Sequence, residues 1–380
     1  MNEKTKLFKV TLEPKDWFFF GGGSTFDNGT KTSYIAHSML LPQQTAILGM
    51  IRYQLLRQNN LLFGQGGSPE MSKVKDLIGE NSFIMSDDSQ KSFGDILGIS
   101  PVFLEEYDKE NKSVVRELFP LSLTDSYKLS FDNARVYMTD REKKLLIGDN
   151  GSFNPKEYDN YMKFGDKEGQ SISIDSIFEK RMQIGITKNT DFNTKEGEKE
   201  GKFFKHEMVR FRRNKDKNTS FRYTFYVKLG SQELKTDFVF IGAERSCFNM
   251  EVSPVEGAGT DLKQIYLDDC PSRCDTIGRI EILSPTYIED IGIMEALCDF
   301  HWSNVISFRN ITFNKDGKGR LNSGGVSYDR GTISYNMLCP GSVLFFDESK
   351  RKDIEDLLNK EHLQSIGYNY FNSMNNKKTK

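Results

Sequence analysis

Apolar and polar positions alternate over residues 7 to 13, with Phe8, Val10 and Leu12 on one side and Lys9, Thr11 and Glu13 on the other. That period of two predicts a half-buried strand, which Pro14 ends. The period then changes. From Thr45, read as an N-cap, Ile47, Met50, Ile51 and Leu55 recur at helical spacing, with Arg52 and Arg57 off the stripe. Gly49 weakens that helix, so a close approach to a sheet is its expected justification. Between the two elements lies FFFGGGSTF, a glycine loop.

Residues 58 to 180 are polar and dotted with glycine, and their short apolar pieces predict an insertion of short helices and loops around the core. RMQIGITKNT (181–190) reads as a strand. FFKHEMVRF and FRYTFYVKL flank the polar turn RRNKDKNTS, which predicts a hairpin at about 201–228. KTDFVFIG and CFNMEV, joined through Gly242, close a first unit near residue 255. Beyond it, strands are expected in GRIEILSPTYIE, SFRNITFN and GTISYNMLCPGSVLFFD. An amphipathic helix follows at 351–363, with Ile354, Leu357 and Leu358 inward, and then a last strand in IGYNYF. The expected class is α+β: two ferredoxin-like (RRM-like) halves, 1–255 and 256–380, with the insertion and the hairpin in the first.

Composition narrows the function. At 380 residues two cores are the default, and a formal net charge of −2 argues against coating nucleic acid by bulk charge. Any such contact must be local. No apolar run approaches the roughly 20 residues of a membrane span, and MNEKTKLFKV lacks the apolar centre of a signal peptide, so a cytoplasmic location is expected. Five cysteines (247, 270, 274, 298, 339) without a secretion signal favour reduced thiols. Only Cys270 and Cys274 are closely spaced, with His301 as a helper, too little for a zinc site. No metal or cofactor is expected.

Local charge is the exception. Residues 201–222 hold eight Lys or Arg (Lys202, Lys205, Arg210, Arg212, Arg213, Lys215, Lys217, Arg222) against Glu207 and Asp216, an excess of six, interleaved with four phenylalanines. Such a stretch suits neutralising phosphates while rings stack on bases, although a charge run can equally be a solvated face. Gly21, Gly22, Gly23 and Ser24 can expose backbone N–H groups to a phosphate, or form a flexible turn. Arg245, at the Gly242 turn, can fork onto a phosphate, whereas Glu244 suits a structural pair. Arg52 is open between RNA and solvent. His37, with Tyr34 as its one neighbour of suitable type, and His206, His301 and His362 form no triad pattern.

In their order and spacing, the strand followed by D-x-x-F-F and glycines, then P-x-x-T-x-x-G-x-x-R, I-G-A-E-R and P-G-S-V-L-F-F resemble the RAMP superfamily. More narrowly they resemble the RAMP subunit of type III-B (Cmr) CRISPR effector complexes that holds the crRNA 5′ handle beside the polymerase-like large subunit. The pattern maps to Asp16 and Phe19, to Pro42, Thr45, Gly49 and Arg52, to Gly185, to Gly242, Glu244 and Arg245, and to Pro340, Gly341 and Val343. Two departures stand out: Ala243 follows Gly242 where G-G-E is common, and the C-terminal glycine loop is reduced to Gly367.

The resemblance implies a non-catalytic, RNA-binding scaffold. It would contact the crRNA 5′ handle, the large subunit and the backbone RAMP subunit, and target RNA indirectly, with the basic hairpin as a thumb and Arg210, Arg212 and Arg213 as its leading contacts. One rival is a RAMP endoribonuclease using His37; another is a scaffold that never touches RNA.

Overall fold

A computed structural model of the chain describes residues 5–21, 35–62, 70–86, 88, 92–122, 128–132, 135–140, 143–147, 163–187, 202–213, 218–242, 245–256, 261–269, 278–313 and 328–373. The elements up to residue 177 are β1 (Lys6–Pro14), β2 (Ile35–His37), α1 (Gln44–Gln58), α2 (Met71–Ile78), β3 (Ile96–Ile99), β4 (Phe103–Asp108), β5 (Ser113–Leu121), β6 (Lys128–Asp132), β7 (Arg135–Asp140), β8 (Lys143–Ile147), β9 (Lys163–Gly165), β10 (Ser171–Ile172) and α3 (Ile174–Ile177). Then come β11 (Phe178–Thr187), β12 (Lys202–Phe211), β13 (Thr219–Leu229), β14 (Asp237–Ile241), β15 (Ser246–Pro254) and α4 (Leu262–Asp269). The last part contains β16 (Gly278–Ile282), β17 (Thr286–Tyr287), α5 (Ile291–Leu297), β18 (Phe300–Trp302), β19 (Val305–Phe313), β20 (Tyr328–Leu338), β21 (Val343–Phe346), α6 (Arg351–Leu358), α7 (Glu361–Gln364) and β22 (Phe371–Ser373).

The fold is α+β, with mostly antiparallel sheets and few helices. One sheet runs β10-β9-β5-β4-β13-β1-β15-β14, with β3 also paired to β13. Within it β15, β1, β13 and β4 are antiparallel neighbours, the strand order of a ferredoxin-like core. The first crossover carries α1. The second carries β14, which forms a hairpin with β15 as the strands read in KTDFVFIG and CFNMEV predict, in the place of the second helix of a ferredoxin-like unit. The later sheet runs β18-β21-β16-β22, again all antiparallel, with α5 before β18 and α6 between β21 and β22.

α1 begins at Gln44, one residue before the expected cap, and Gln43 makes no side-chain cap bond. Its Ile47, Met50, Ile51 and Leu55 pack with Phe8, Val10 and Leu12 of β1 in the main core. Gly49, however, faces solvent, and a Cβ there would meet nothing within 4 Å. Close approach to a sheet does not explain it. At the chain's end the expected 351–363 helix is two short ones, α6 and α7. Ile354 and Leu358 are buried, with Leu357 packed at the rim of that core. The last strand starts only at Phe371, after the buried Ile366, Tyr368 and Tyr370.

Two larger expectations change. The 58–180 segment is not an insertion of helices and loops, because β3, β4, β5, β9 and β10 belong to the main sheet, and β4 is a strand of its ferredoxin-like core. The hairpin expected at 201–228 does not form either. β12 pairs with β11 and β2, while β13 pairs with β1, β3 and β4. The ribbon is therefore β11–β12, with the short β2 on the other edge of β12. Alternation shows that a segment is a strand; it does not say which strand it pairs with.

The ribbon is fixed to the sheet through residues 17–20. Phe18 and Val209 exchange backbone bonds of 2.7 and 2.9 Å. Phe18, Phe20, Phe211, Tyr223 and Phe248 gather beneath them, with neighbouring ring centroids 4.8 to 6.3 Å apart. Such pairs contribute about 0.5–1.5 kcal/mol each beyond the area they bury. The ribbon base is thus held by core packing.

Candidate nucleic-acid interface

Where β1 ends, Lys15 and Asp16 are exposed and Trp17 lies half-buried before the buried run Phe18–Phe20. The strands of the ribbon bring two cations over the indole. The Arg181 guanidinium lies 4.6 Å and that of Arg210 lies 4.5 Å from the ring. Arg210 also gives Glu179 two contacts of 2.8 and 2.9 Å, one register step across β11–β12. Its position is therefore structural: the carboxylate and the indole share its charge.

Arg212 and Arg213 follow directly. Phe211 turns into the core, and the next two side chains project to solvent with no ion pair among the described residues. They line a cleft of about 420 Å³ together with Lys15, Asp16, Lys109 and Ser220. Five cations and three acids border it. Lys109 is paired to Glu13 and Arg210 to Glu179, which leaves Lys15, Arg212 and Arg213 against Asp16. A cleft bordered by surplus cations attracts an anion.

The remaining sequence candidates separate. Lys205 is exposed on β12, in register with Ile184 and Ile35. Arg222, from the same basic run, does not join the surface: its side chain bonds Glu105 at 2.8 and 2.9 Å and lies over Tyr107. Gly21 is exposed, bridges Ser38, and its carbonyl accepts from Gln43 at 3.4 Å. Gly22, Gly23, Ser24, Ala243 and Glu244 lie outside the described residues, as do Cys270 and Cys274. Gly242 has φ +81°, and a Cβ there would sit 2.7 Å from the Phe19 carbonyl oxygen, so this turn presses on the segment that leads into the glycine run. Arg245 closes the turn at φ +51°, its N–H bonded to the Gly242 carbonyl and its guanidinium 5.3 Å from the Phe240 ring.

Arg52 is a packing residue. Its guanidinium lies 4.7 Å from the Phe93 ring and donates to the Asn81 carbonyl at 2.8 Å, and burial pulls its pKa down to about 10. Replacing it with Ala should cost about 2 kcal/mol, from a desolvated cation–π contact and a charged hydrogen bond. A urea titration should show that loss while RNA affinity of the folded protein stays unchanged. Weaker RNA binding at full stability would instead make Arg52 a contact.

The histidines and cysteines are dispersed. His37 Nδ1 lies 3.5 Å from Glu207 on an exposed edge, His206 is buried with its ring 5.6 Å from Phe19, and His362 contacts the Met85 carbonyl at 2.9 Å. Cys247, Cys298 and Cys339 are free thiols, and burial pushes the last two up to about 12. Among the described residues no group of three His, Cys, Asp or Glu side chains could hold a metal ion. Asp268 and Asp269 end α4. No described helix is long and apolar enough to cross a membrane.

Reasoning from sequence missed Lys15, Trp17 and Arg181. The signal was present in KDW immediately before the phenylalanines and in the single arginine of RMQIGI, but their convergence depends on which strands pair.

A family model described as "CRISPR-associated protein (Cas_Cmr3)" matches residues 10–372. No curated protein matches the chain. Among solved structures, a chain of type III-B Cmr-beta bound to cognate target RNA and AMPPnP (state 1, cryo-EM) is 14% identical, with 95% of this chain and 94% of that one covered and a TM-score of 0.44. A chain of type III-B Cmr-beta bound to cognate target RNA is 15% identical, with 96% of each chain covered and a TM-score of 0.46.

Proposed function

Because this chain belongs to the CRISPR-associated Cas_Cmr3 family and so is a subunit of a type III-B Cmr complex, we propose that it is a non-catalytic RNA-binding scaffold that clamps the crRNA 5′ handle. Its partners in this reading are the polymerase-like large subunit and the backbone RAMP subunit, with target RNA met indirectly. The supporting observation is the pair Arg212 and Arg213. They stand unpaired among the described residues at a cleft of about 420 Å³, in a chain whose net charge is −2. A fixed handle sets the register from which positions along the guide are counted. Phosphate contacts supply the affinity, and rings that accept splayed bases supply recognition.

The clamp combines a rigid side and an open one. Trp17, Arg181, Arg210 and Glu179 hold the ribbon base through stacking and an ion pair, so the two free arginines project from a fixed position. Arginine suits the task because its planar fork binds phosphate oxygens in pairs.

Replacing Arg212 and Arg213 together with Ala should weaken crRNA binding and reduce the salt slope by about 1.4 log units, at roughly 0.7 per single-strand phosphate contact. Both side chains are exposed, so folding should be unaffected. A filter-binding titration across salt concentrations measures both quantities, and unchanged affinity and slope would remove this cleft from the RNA path. The nuclease reading has its own readout: repeat RNA cut without metal to a handle-length product, and not cut by His37→Ala protein.

A further inference from the structure

β14 carries an arrangement that the cleft does not use. Within its sequence DFVFI, Val239 and Ile241 turn to the core, and Phe238 and Phe240 turn the other way, 51% and 52% exposed. Burying a phenylalanine is worth about 1.5–3 kcal/mol, so stability alone gives no reason to leave two outside. The rings sit two residues apart on one face of a strand, hence about 7 Å apart. Each has a cation: Lys15 Nζ lies 4.8 Å from the Phe238 centroid and the Arg245 guanidinium 5.3 Å from that of Phe240.

The strand is held firmly. Asp237 accepts 3.1 Å contacts from both Gln54 and Arg57 of α1, and Arg57 also donates to the Phe238 carbonyl at 3.3 Å. The position is continuous with the cleft, because Lys15 borders the cleft and covers Phe238 at once.

We infer that Phe238 and Phe240 form a stacking platform for two consecutive unpaired nucleotides of the RNA as it leaves the cleft, with Lys15 and Arg245 facing the flanking phosphates. The inference rests on the RNA-binding reading above. RNA fits better than an apolar protein surface because a cation lies over each ring and the cross-strand partners of the rings, Asn249 and Cys247, are not large and apolar. Ring pairs with cations nearby are the means by which single strands are held without regard to sequence.

The test uses the full chain and two probes, crRNA and a single-stranded RNA of equal length without the handle. Phe238→Ala and Phe240→Ala should each weaken binding about tenfold, the effect of losing one stacked base, and should leave the salt slope intact. Phe238→Trp with Phe240→Trp should restore affinity. Loss confined to crRNA places handle nucleotides on the platform; loss with both probes makes it general for single strands. The platform is overturned if both Ala variants bind like the parent while the Arg212/Arg213 variant loses affinity and slope, and equally if they bind RNA normally and fail only in complex assembly, which would make β14 a protein contact. If the arginine variant is also unchanged, the RNA-binding reading itself fails.

Discussion

Gly367→Val is expected to leave little soluble, folded protein. Gly367 sits at φ +89° between the buried Ile366 and Tyr368. A Cβ there would come within 2.7 Å of the Ser100 carbonyl oxygen and overlap the Gln44 side-chain amide. That amide is itself engaged, donating to the Ser100 carbonyl at 2.9 Å. A branched residue in this backbone region costs about 1–3 kcal/mol, and forcing its atoms into packed surroundings about as much again. Together these use up much of the roughly 5–15 kcal/mol that holds a typical domain. Soluble yield and a circular-dichroism melt measure the outcome, and a midpoint within two degrees of the parent would refute it. Gly49→Ala should move the other way, by about 1 kcal/mol, since that helix interior offers open space and gains helix propensity.

The two glycines show how much the sequence disclosed. Both stand out in it, one in a motif and one as the remnant of a glycine loop, and it could not say which was packed. Gly367 is required by a neighbour 267 positions away in Ser100, a contact that no local pattern encodes. The elements with simple periodicity were legible: β1 by alternation, α1 by its stripe, and β14 joined to β15 at Gly242.

What misled was charge inside the sheet. FLEEYD and SVVRELFPL look polar because Glu105, Glu106, Arg116 and Glu117 interrupt the apolar positions, yet Glu105 and Glu106 are buried, and every one of these charges has a partner. Likewise Arg222 looked like part of a basic surface and proved to be the partner of one of these acids. A charged residue in a strand reads as exposed until the opposite charge, here about a hundred residues away, is placed beside it.

That buried network is where a single change should be most costly after Gly367. Glu105 is fully buried, with Lys9 Nζ at 2.5 Å on one carboxylate oxygen and Arg222 at 2.8 Å on the other. Burial works against the charge of Lys9, but Glu105 and then Glu117 more than offset it and hold its pKa above the ordinary lysine value. That contribution is complete below the ordinary lysine range and is lost only as pH rises through the raised value, so at neutral pH the network acts in full. Glu105→Leu leaves Lys9 with Glu117 at 3.2 Å and Arg222 with Glu251 at 3.5 Å. Each cation keeps a weaker partner, so the cost should fall at or below the low end of the about 3–5 kcal/mol that a fully stranded buried charge carries. Arg222→Leu alone should cost less, because Glu105 keeps Lys9. The double variant Glu105→Leu with Arg222→Leu should then be less destabilised than the sum of the two by more than about 1 kcal/mol, the mark of a direct pair. Urea titrations of the four proteins complete the cycle. If the two losses simply add, Glu105 and Arg222 act independently and the acid is tolerated inside the sheet for some other reason.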